Sequence, residues 1–336
     1  MSSVKAMKSG PSLVVLSRDD LAALVPFEEY VDAVADAFRQ YAQGEAVLPS
    51  PIHIGAELGG FHVKAGFLPI GPGYAAFKVN ANFPGNPKRY GLPTIQGAIL
   101  LFDTSTGSPA ALLDSGEITL KRTGAATAVA AKYLARPESQ TAMVIGCGAQ
   151  APSQLMALRH VLDIRRLFVA DADEAAATRF AELAAREGLA VDIPVKPRKA
   201  ALASDVIVTC TSSRTPILGP SDVRPGTFIA AIGADNPDKN EIAPGLMAKA
   251  RVVTDVTEQC SHMGDLHHAI RAGAMQATDV HAELGQLVAG QKPGRTQPHD
   301  ITLFDGCGVG IQDVASAARA FQLAVAARAG SSLRLQ

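Results

Sequence analysis

"TAMVIGCGAQA", residues 141–151, decides the fold. An apolar run of strand character ends at Gly146, and Cys147-Gly148-Ala149-Gln150-Ala151 follows without a break. The next stretch, PSQLMALRHVL (152–162), carries apolar residues at helical spacing. A G-x-G-x-x-[GA] pattern alone says little, but between a strand and a helix it reads as a dinucleotide loop. The first glycine permits the tight turn, the second lets the backbone approach a pyrophosphate, and the small Ala151 lets helix and strand pack closely. The helix N-terminus then offers unpaired N–H groups to phosphates. The alternative is a glycine turn without a ligand.

Working outward, RRLFVAD (165–171) ends in Asp171, 25 residues after Gly146. A carboxylate there accepts hydrogen bonds from both adenosine ribose hydroxyls and repels a 2′-phosphate, and no arginine follows it. The reading is NAD(H) rather than NADP(H); the plainer one is that Asp171 or Asp173 caps the next helix. DVIVTCT (205–211), TFIAAIGA (227–234) and ARVVTD (250–255) are further apolar runs separated by helical or turn-rich stretches. Continuous apolar strands alternating with helices mean a parallel sheet covered on both faces. The fold class is therefore α/β, with a Rossmann-type doubly wound parallel sheet.

Upstream the style differs. Pro26–Gln43 predicts a helix, with acids in its first turn and Gly44 after it. The segments 61–68, 74–80 and 94–102 predict short strands in an antiparallel or mixed sheet, and Glu117–Ala135 a long Ala-rich helix. After ITLFDG (301–306), an amphipathic helix over Ile311–Ala329 is expected to return to the first domain, because the α/β unit is already complete.

The 336 residues suit two domains, and 47% hydrophobic with 19% charged residues describes a soluble globular chain. The formal charge of −1 with no Lys/Arg stripe speaks against a nucleic-acid partner. No apolar stretch reaches the roughly eighteen residues of a membrane span. MSSVKAMKSGPSLVVL has only a short apolar run, so no signal peptide is read. The four cysteines form no CxxC and no Cys/His pair at zinc spacing, so no metal is expected; reduced thiols fit a cytoplasmic protein.

FKVNANFPGNP (77–87), GLPTIQGAILLFD (91–103), EITLKRTGAATAVAAKYLA (117–135), GCGAQA (146–151), DVIVTCTSS (205–213), GADNPDKNEI (233–242) and ITLFDGCGVGIQD (301–313) fall in a characteristic order. From about residue 13 to 325 the chain resembles the ornithine cyclodeaminase/mu-crystallin family. That resemblance implies a substrate-binding and dimerisation domain of α+β type over 1–125, completed by 306–336, and a Rossmann NAD-binding domain over 126–305. A homodimer is implied. By position, Lys78 and Arg122 match pocket residues that hold a substrate carboxylate, with Arg122 also near the cofactor. Asp235 matches the acid/base carboxylate and Thr94 a threonine near the nicotinamide. Ala149, Gln150, Asp171, Thr209 and Lys239 match cofactor contacts, beside Gly146 and Gly148. Cys307 falls close to the nicotinamide, on the substrate side, as a small apolar filler rather than a nucleophile.

Two departures concern the substrate. The family's arginine near the position of Pro51 is absent, and His62 and Lys64 replace a glutamate and a methionine of the cyclodeaminases. Lys64 is expected to take over the missing grip, with His62 adding a donor; the competing expectation is that Lys64 points to solvent.

Each site residue has a duller alternative. Lys78 can be a snorkelling strand residue, Arg122 a pairing side chain, Asp235 a turn former before Asn236-Pro237, and His62 a hydrogen-bonded structural histidine. The spacing of His262, His267 and His268 suggests a helix face rather than a metal site. Lys78, followed by a Pro-Gly-Asn-Pro bend, is expected as a fixed cation at the mouth of an inter-domain cleft, held there by the bend.

The family chemistry is hydride exchange between nicotinamide and the carbon bearing an amino or imino group. The first expectation is an NAD(H)-dependent oxidoreductase interconverting a small amino acid and its imine, as an amino-acid dehydrogenase or a ketimine or cyclic-imine reductase. The second is a cyclodeaminase, a lyase with catalytic NAD acting on an ornithine-like diamino acid. The third, from another class, is a non-catalytic crystallin-like protein that only binds the nucleotide.

Overall fold

The computed structural model describes residues 13–334. The leader reading of the opening segment falls largely on residues 1–12, outside them. Two sheets organise the chain. The first contains β1 (Leu13–Leu16), β2 (Ile52–Ala56), β3 (Gly59–Leu68), β4 (Tyr74–Asn82), β5 (Ile95–Asp103), β6 (Ser108–Asp114) and β15 (Ser331–Leu333). The second contains β7 (Thr141–Ile145), β8 (Arg166–Ala170), β9 (Ala190–Asp192), β10 (Val206–Thr209), β11 (Phe228–Ala231), β12 (Arg251–Thr254), β13 (Ala282–Glu283) and β14 (Thr302–Asp305).

The first sheet runs β15-β1-β6-β5-β4-β3-β2 and is mixed, with only β1 and β6 parallel. β3, β4 and β5 are long and fully paired, so residues of one parity form one face. On that face Leu68, Tyr74, Ala76, Ile99 and Leu101 are buried. Three helices lie over it: Phe27–Ala42, which packs on the other two rather than on the strands, and, directly on the sheet, Ser115–Leu134 and the closing helix Gly310–Ala327. In the first of these Phe27, Tyr30, Val34, Ala37 and Phe38 recur on one stripe and are buried. The closing helix meets β3 backbone to backbone. A Cβ on Gly66 would stand 3.2 Å from Gly310, and one on Gly310 would collide with the Ala65 carbonyl. The opposite face leaves Ile54, Phe61, Phe77 and Val79 exposed.

The second sheet is parallel throughout, in the order β13-β12-β14-β11-β10-β7-β8-β9. Every residue of β10, β11 and β14 is buried, as expected of strands covered on both faces. Strand order reverses between β7 and β10, the switch point at which doubly wound sheets bind ligands. The chain then leaves β11 for β12 and β13 and returns late to insert β14 between β11 and β12.

The helix Ser115–Leu134 joins the two sheets. Asp114 caps it, accepting from Glu117 N at 2.7 Å. Gly124 lies against Ser153, whose hydroxyl donates to Leu120 O at 2.8 Å, so the helix also packs closely on Ala151–Val161. The division expected between residues 125 and 126 falls inside this one continuous helix.

Candidate active site

The dinucleotide loop leaves β7 where the sheet order reverses. Gly146 has φ 97°, and a Cβ there would stand 2.7 Å from Cys210 O, so only glycine fits. Gly148 is different: a Cβ on it would meet no protein atom within 4 Å. Its missing side chain clears space for something other than protein. Among the described residues, the N–H groups of Gly148, Ala149 and Gln150 have no protein acceptor, and they precede the helix Ala151–Val161. Such a nest with a helix N-terminus behind it favours an anion. Ala151 is fully buried, as close helix–strand packing requires. Asp171 is oriented by Cys147 N at 2.6 Å and Asp173 N at 2.8 Å, one on each oxygen, so each keeps a lone pair free. These features fit a dinucleotide with unphosphorylated ribose hydroxyls.

Thr209 departs from its expected role. It is completely buried, and its hydroxyl donates to Glu241 at 2.7 Å, which makes it a support for the loop rather than a surface for a ligand.

A cluster of charges occupies the inner face of the first sheet. Lys78 is only 3% exposed and pairs with Asp313 at 2.7 Å. Arg122 pairs with the other Asp313 oxygen at 3.2 Å and donates to Gln312 at 2.8 Å. Gly308 leaves room for the guanidinium, which a Cβ there would strike. Burial lowers the Lys78 ammonium, Asp313 opposes this, and Arg122 and Lys64 add to it, leaving a pKa of about 7. Burial raises Asp313, but Lys78 and Arg122 outweigh it and hold the carboxyl below its usual range. Lys78 therefore lies on the floor of the site and not at its mouth. The strand holds it there: β4 runs on to Asn82 beyond it, so the Pro-Gly-Asn-Pro bend is not what fixes it.

Lys64, directly opposite Lys78 in the β3–β4 register, does not point to bulk water. Its ammonium donates to Cys307 O at 3.0 Å and Gly308 O at 2.7 Å. His62 is half-buried two residues away, its ring 4.5 Å from that of His53 on β2. Burial lowers the His62 pKa, and His53 lowers it further.

Asp235 follows β11 and comes from the second sheet's side. Its side chain is 51% exposed, yet Lys64 and His62 both act on it across the crevice. Lys239 grips it at 2.7 Å. Burial raises the carboxyl, and the Lys239 ammonium more than reverses this with help from Lys64 and His62, so Asp235 rests ionised. Thr94 is half-buried at the start of the β5 side, its carbonyl accepting from Phe83 N at 2.8 Å. Cys307 is buried with its sulfur 3.2 Å from that of Cys260, and its thiol stands at about 12. Asp255, Cys260 and Cys307 come close together, but both Asp255 oxygens are already engaged by Val256 N and Gly308 N. His267 and His268 share the helix Asp265–Arg271, whereas His262 lies outside it; each ring bonds a backbone carbonyl.

Reading the sequence missed Asp313, Gln312 and a buried set of carboxylates. Glu241 accepts from Thr209, Thr211 and Gly233; Asp265 accepts from Glu241 N and Ile242 N; Asp305 accepts from Leu266 N at 2.8 Å. Burial raises all three, Asp305 to about 7. They tie the loop carrying Asp235 to the turn carrying Cys307. The one signal available was acids inside otherwise apolar stretches, NEI and IQD.

A model of the ornithine cyclodeaminase/mu-crystallin family matches residues 12–326. The chain belongs to this family. An alanine dehydrogenase of Archaeoglobus fulgidus is 39% identical over 321 residues, which is 96% of this chain and 98% of that protein. An archaeal alanine dehydrogenase dimer with bound NAD superposes with a TM-score of 0.92 at 38% identity, covering 97% of this chain and 100% of its own. The iminosuccinate reductase of Paracoccus denitrificans, solved with NAD+, gives 0.90 at 32% identity over 96% and 100%. Among the described residues no helix is long and apolar enough to cross a membrane.

Proposed function

We propose that this chain is an NAD(H)-dependent oxidoreductase that interconverts a small amino acid and its imine, the oxo acid being the hydrolysed form. The observation that carries this is the Lys78–Asp313–Arg122 cluster, whose donors outnumber its acceptors. One carboxylate serves two cations, so N–H groups of both remain for a substrate carboxylate. When bound, the nicotinamide supplies or accepts the hydride. The free N–H groups of Gly148, Ala149 and Gln150 hold phosphate oxygens, and Asp171 holds the ribose hydroxyls. Arg122 and Lys78 fix the substrate carboxylate and thereby the carbon next to it. Asp235, ionised at rest and open to water on one side, takes the proton from the amino nitrogen in oxidation and returns one to it in reduction. Lys239 keeps it ionised between turnovers.

The exposed apolar outer face of the first sheet, with Ile54, Phe61, Phe77 and Val79, suits a second copy of the chain, and the archaeal alanine dehydrogenase is a dimer. A diamino acid substrate is disfavoured, because its second ammonium would add a positive charge to a site that already holds Lys64, Lys78 and Arg122.

The test is turnover with a panel of 2-oxo acids and ammonia, and separately with ornithine and NAD+, followed by the nicotinamide absorbance and by ammonia release. Stoichiometric NADH consumption is expected, and Asp235→Asn should lose about 10²–10⁴-fold in kcat/KM. Its NADH affinity and Tm should stay near wild type. Ammonia release with no net NADH change, or full activity in Asp235→Asn, overturns the reading.

A further inference from the structure

The inner face of the first sheet breaks a pairing rule. Lys64 and Lys78 are direct partners across β3 and β4, and His53 and His62 are direct partners across β2 and β3. Like charges placed opposite one another destabilise a sheet. All four side chains share one face, since partners project together and positions two apart along a strand repeat. No stability argument accounts for this arrangement. Local rules broken without structural gain are expected at functional sites.

The charges do not cancel. Asp313 serves both Lys78 and Arg122, and Asp235 is taken by Lys239. Among the described residues Lys64 makes no ion pair; its two partners are neutral carbonyls. An ammonium has three N–H donors, so one remains. Its location matters as well. Ile52 pairs with Val63, so the same register carried one residue further sets Pro51 opposite Lys64, with no side-chain donor there. Lys64 is thus the cation on that flank, with His62 beside it. Asp255 also acts on Lys64, but without ion-pair contact, its oxygens being engaged by Val256 N and Gly308 N. In ion-pair contacts the cluster therefore lacks about two negative charges, one at Arg122 and Lys78 and one at Lys64.

We infer that the site takes the imine of a dicarboxylic 2-oxo acid: Arg122 and Lys78 hold the carboxylate next to the reacting carbon, and Lys64 with His62 holds the second. This rests on the oxidoreductase reading and names its substrate class. In the reaction the C=N bond takes a hydride at carbon and a proton at nitrogen. NADH leaves as NAD+, so no other reductant enters. An alkyl side chain in the same place would lie against an ammonium with nothing to offset its desolvation. A lysine, being a point charge without a planar fork, tolerates variation in where that second carboxylate sits.

The experiment compares oxaloacetate and pyruvate, each with ammonia and NADH. Wild type should favour the dicarboxylate by about tenfold or more in kcat/KM, the effect of one added charge-assisted contact. Lys64→Met and Lys64→Gln should each lower that ratio by a similar factor. A readout without turnover is calorimetry on the NAD+-saturated protein: succinate should bind roughly tenfold tighter than propionate, and Lys64→Met should erase the difference. A wild-type preference for pyruvate overturns the inference. So does an equal loss on both acids in the Lys64 variants, which would make Lys64 a tether of the 307–308 turn. Absence of NADH oxidation with every oxo acid would strike the oxidoreductase reading instead, and the succinate measurement would still decide the charge argument.

Discussion

The two sheets bury ionisable groups by opposite means. Under the first, two cations share one carboxylate and keep donors to spare. At the ends of the second, Glu241, Asp255, Asp265 and Asp305 are buried without a cation in ion-pair contact among the described residues, and backbone N–H groups, hydroxyls and a thiol satisfy them. The one oxygen left over, Asp265 Oδ2, belongs to a carboxyl that burial and Asp305 push well above its usual range. Spare donors mark where a ligand enters. Saturated acceptors mark scaffolding that holds loops in register. The difference separates groups that act from groups that position.

The largest effect should come from removing the shared counter-ion. Asp313→Ala leaves Lys78 and Arg122 buried without a counter-ion, and the loss on urea unfolding should be about 3–5 kcal/mol at mildly acidic pH. The loss should shrink as pH rises toward about 7 and change little above it, because Asp313 holds the Lys78 pKa up and the variant sheds that proton at lower pH. An unchanged urea midpoint would mean that the cations are solvated and that the contrast between the sheets is false.

Glu241→Gln attacks the other region. An amide accepts through one oxygen only, so its nitrogen must face donors from Thr209 and Gly233 or from Thr211. The expected cost is about 1–3 kcal/mol, read by the same unfolding experiment. If the loss exceeds that of Asp313→Ala, the carboxylate set is the more critical of the two.

The smallest effect is a pH slope. Asp305 keeps its proton in the folded state up to about 7, whereas the unfolded chain releases it near 3.8. The folded state thus binds more protons between those values, and stability should decline as pH rises through that window. Asp305→Asn should flatten the decline in a Tm-versus-pH series; an identical slope would show that Asp305 titrates normally.

How much of this was legible depended on whether the signal was local. β7, β8, β10, β11 and β12 were readable because strands covered on both faces need unbroken apolar runs. The helix Phe27–Ala42 was readable from its stripe and first-turn acids. β1, β6 and β15 were not: β6 begins Ser108-Pro109, β15 is a polar Ser-Ser-Leu, and their pairing joins distant parts of the chain. In the site, Lys78 stood out as a charge inside an apolar strand. Asp313 did not, because an acid in a helix's first turn ordinarily complements the helix dipole. Only tertiary packing shows that it faces two cations. Thr209 was assigned to the cofactor because nothing local announces the Glu241 that engages it.

The closing helix has a consequence for how the molecule is made. It packs on β3, on β4 and on the helix Phe27–Ala42, and β15 beyond it pairs with β1, so a segment synthesised after the second sheet completes a layer begun before it. The second sheet draws all its strands from one uninterrupted stretch, β7 to β14, and can assemble while the remainder of the chain is still to come. Asp313 arrives with the closing helix. Until then Lys78 and Arg122 have no counter-ion, so on a growing chain the substrate end of the enzyme becomes native after the nucleotide end.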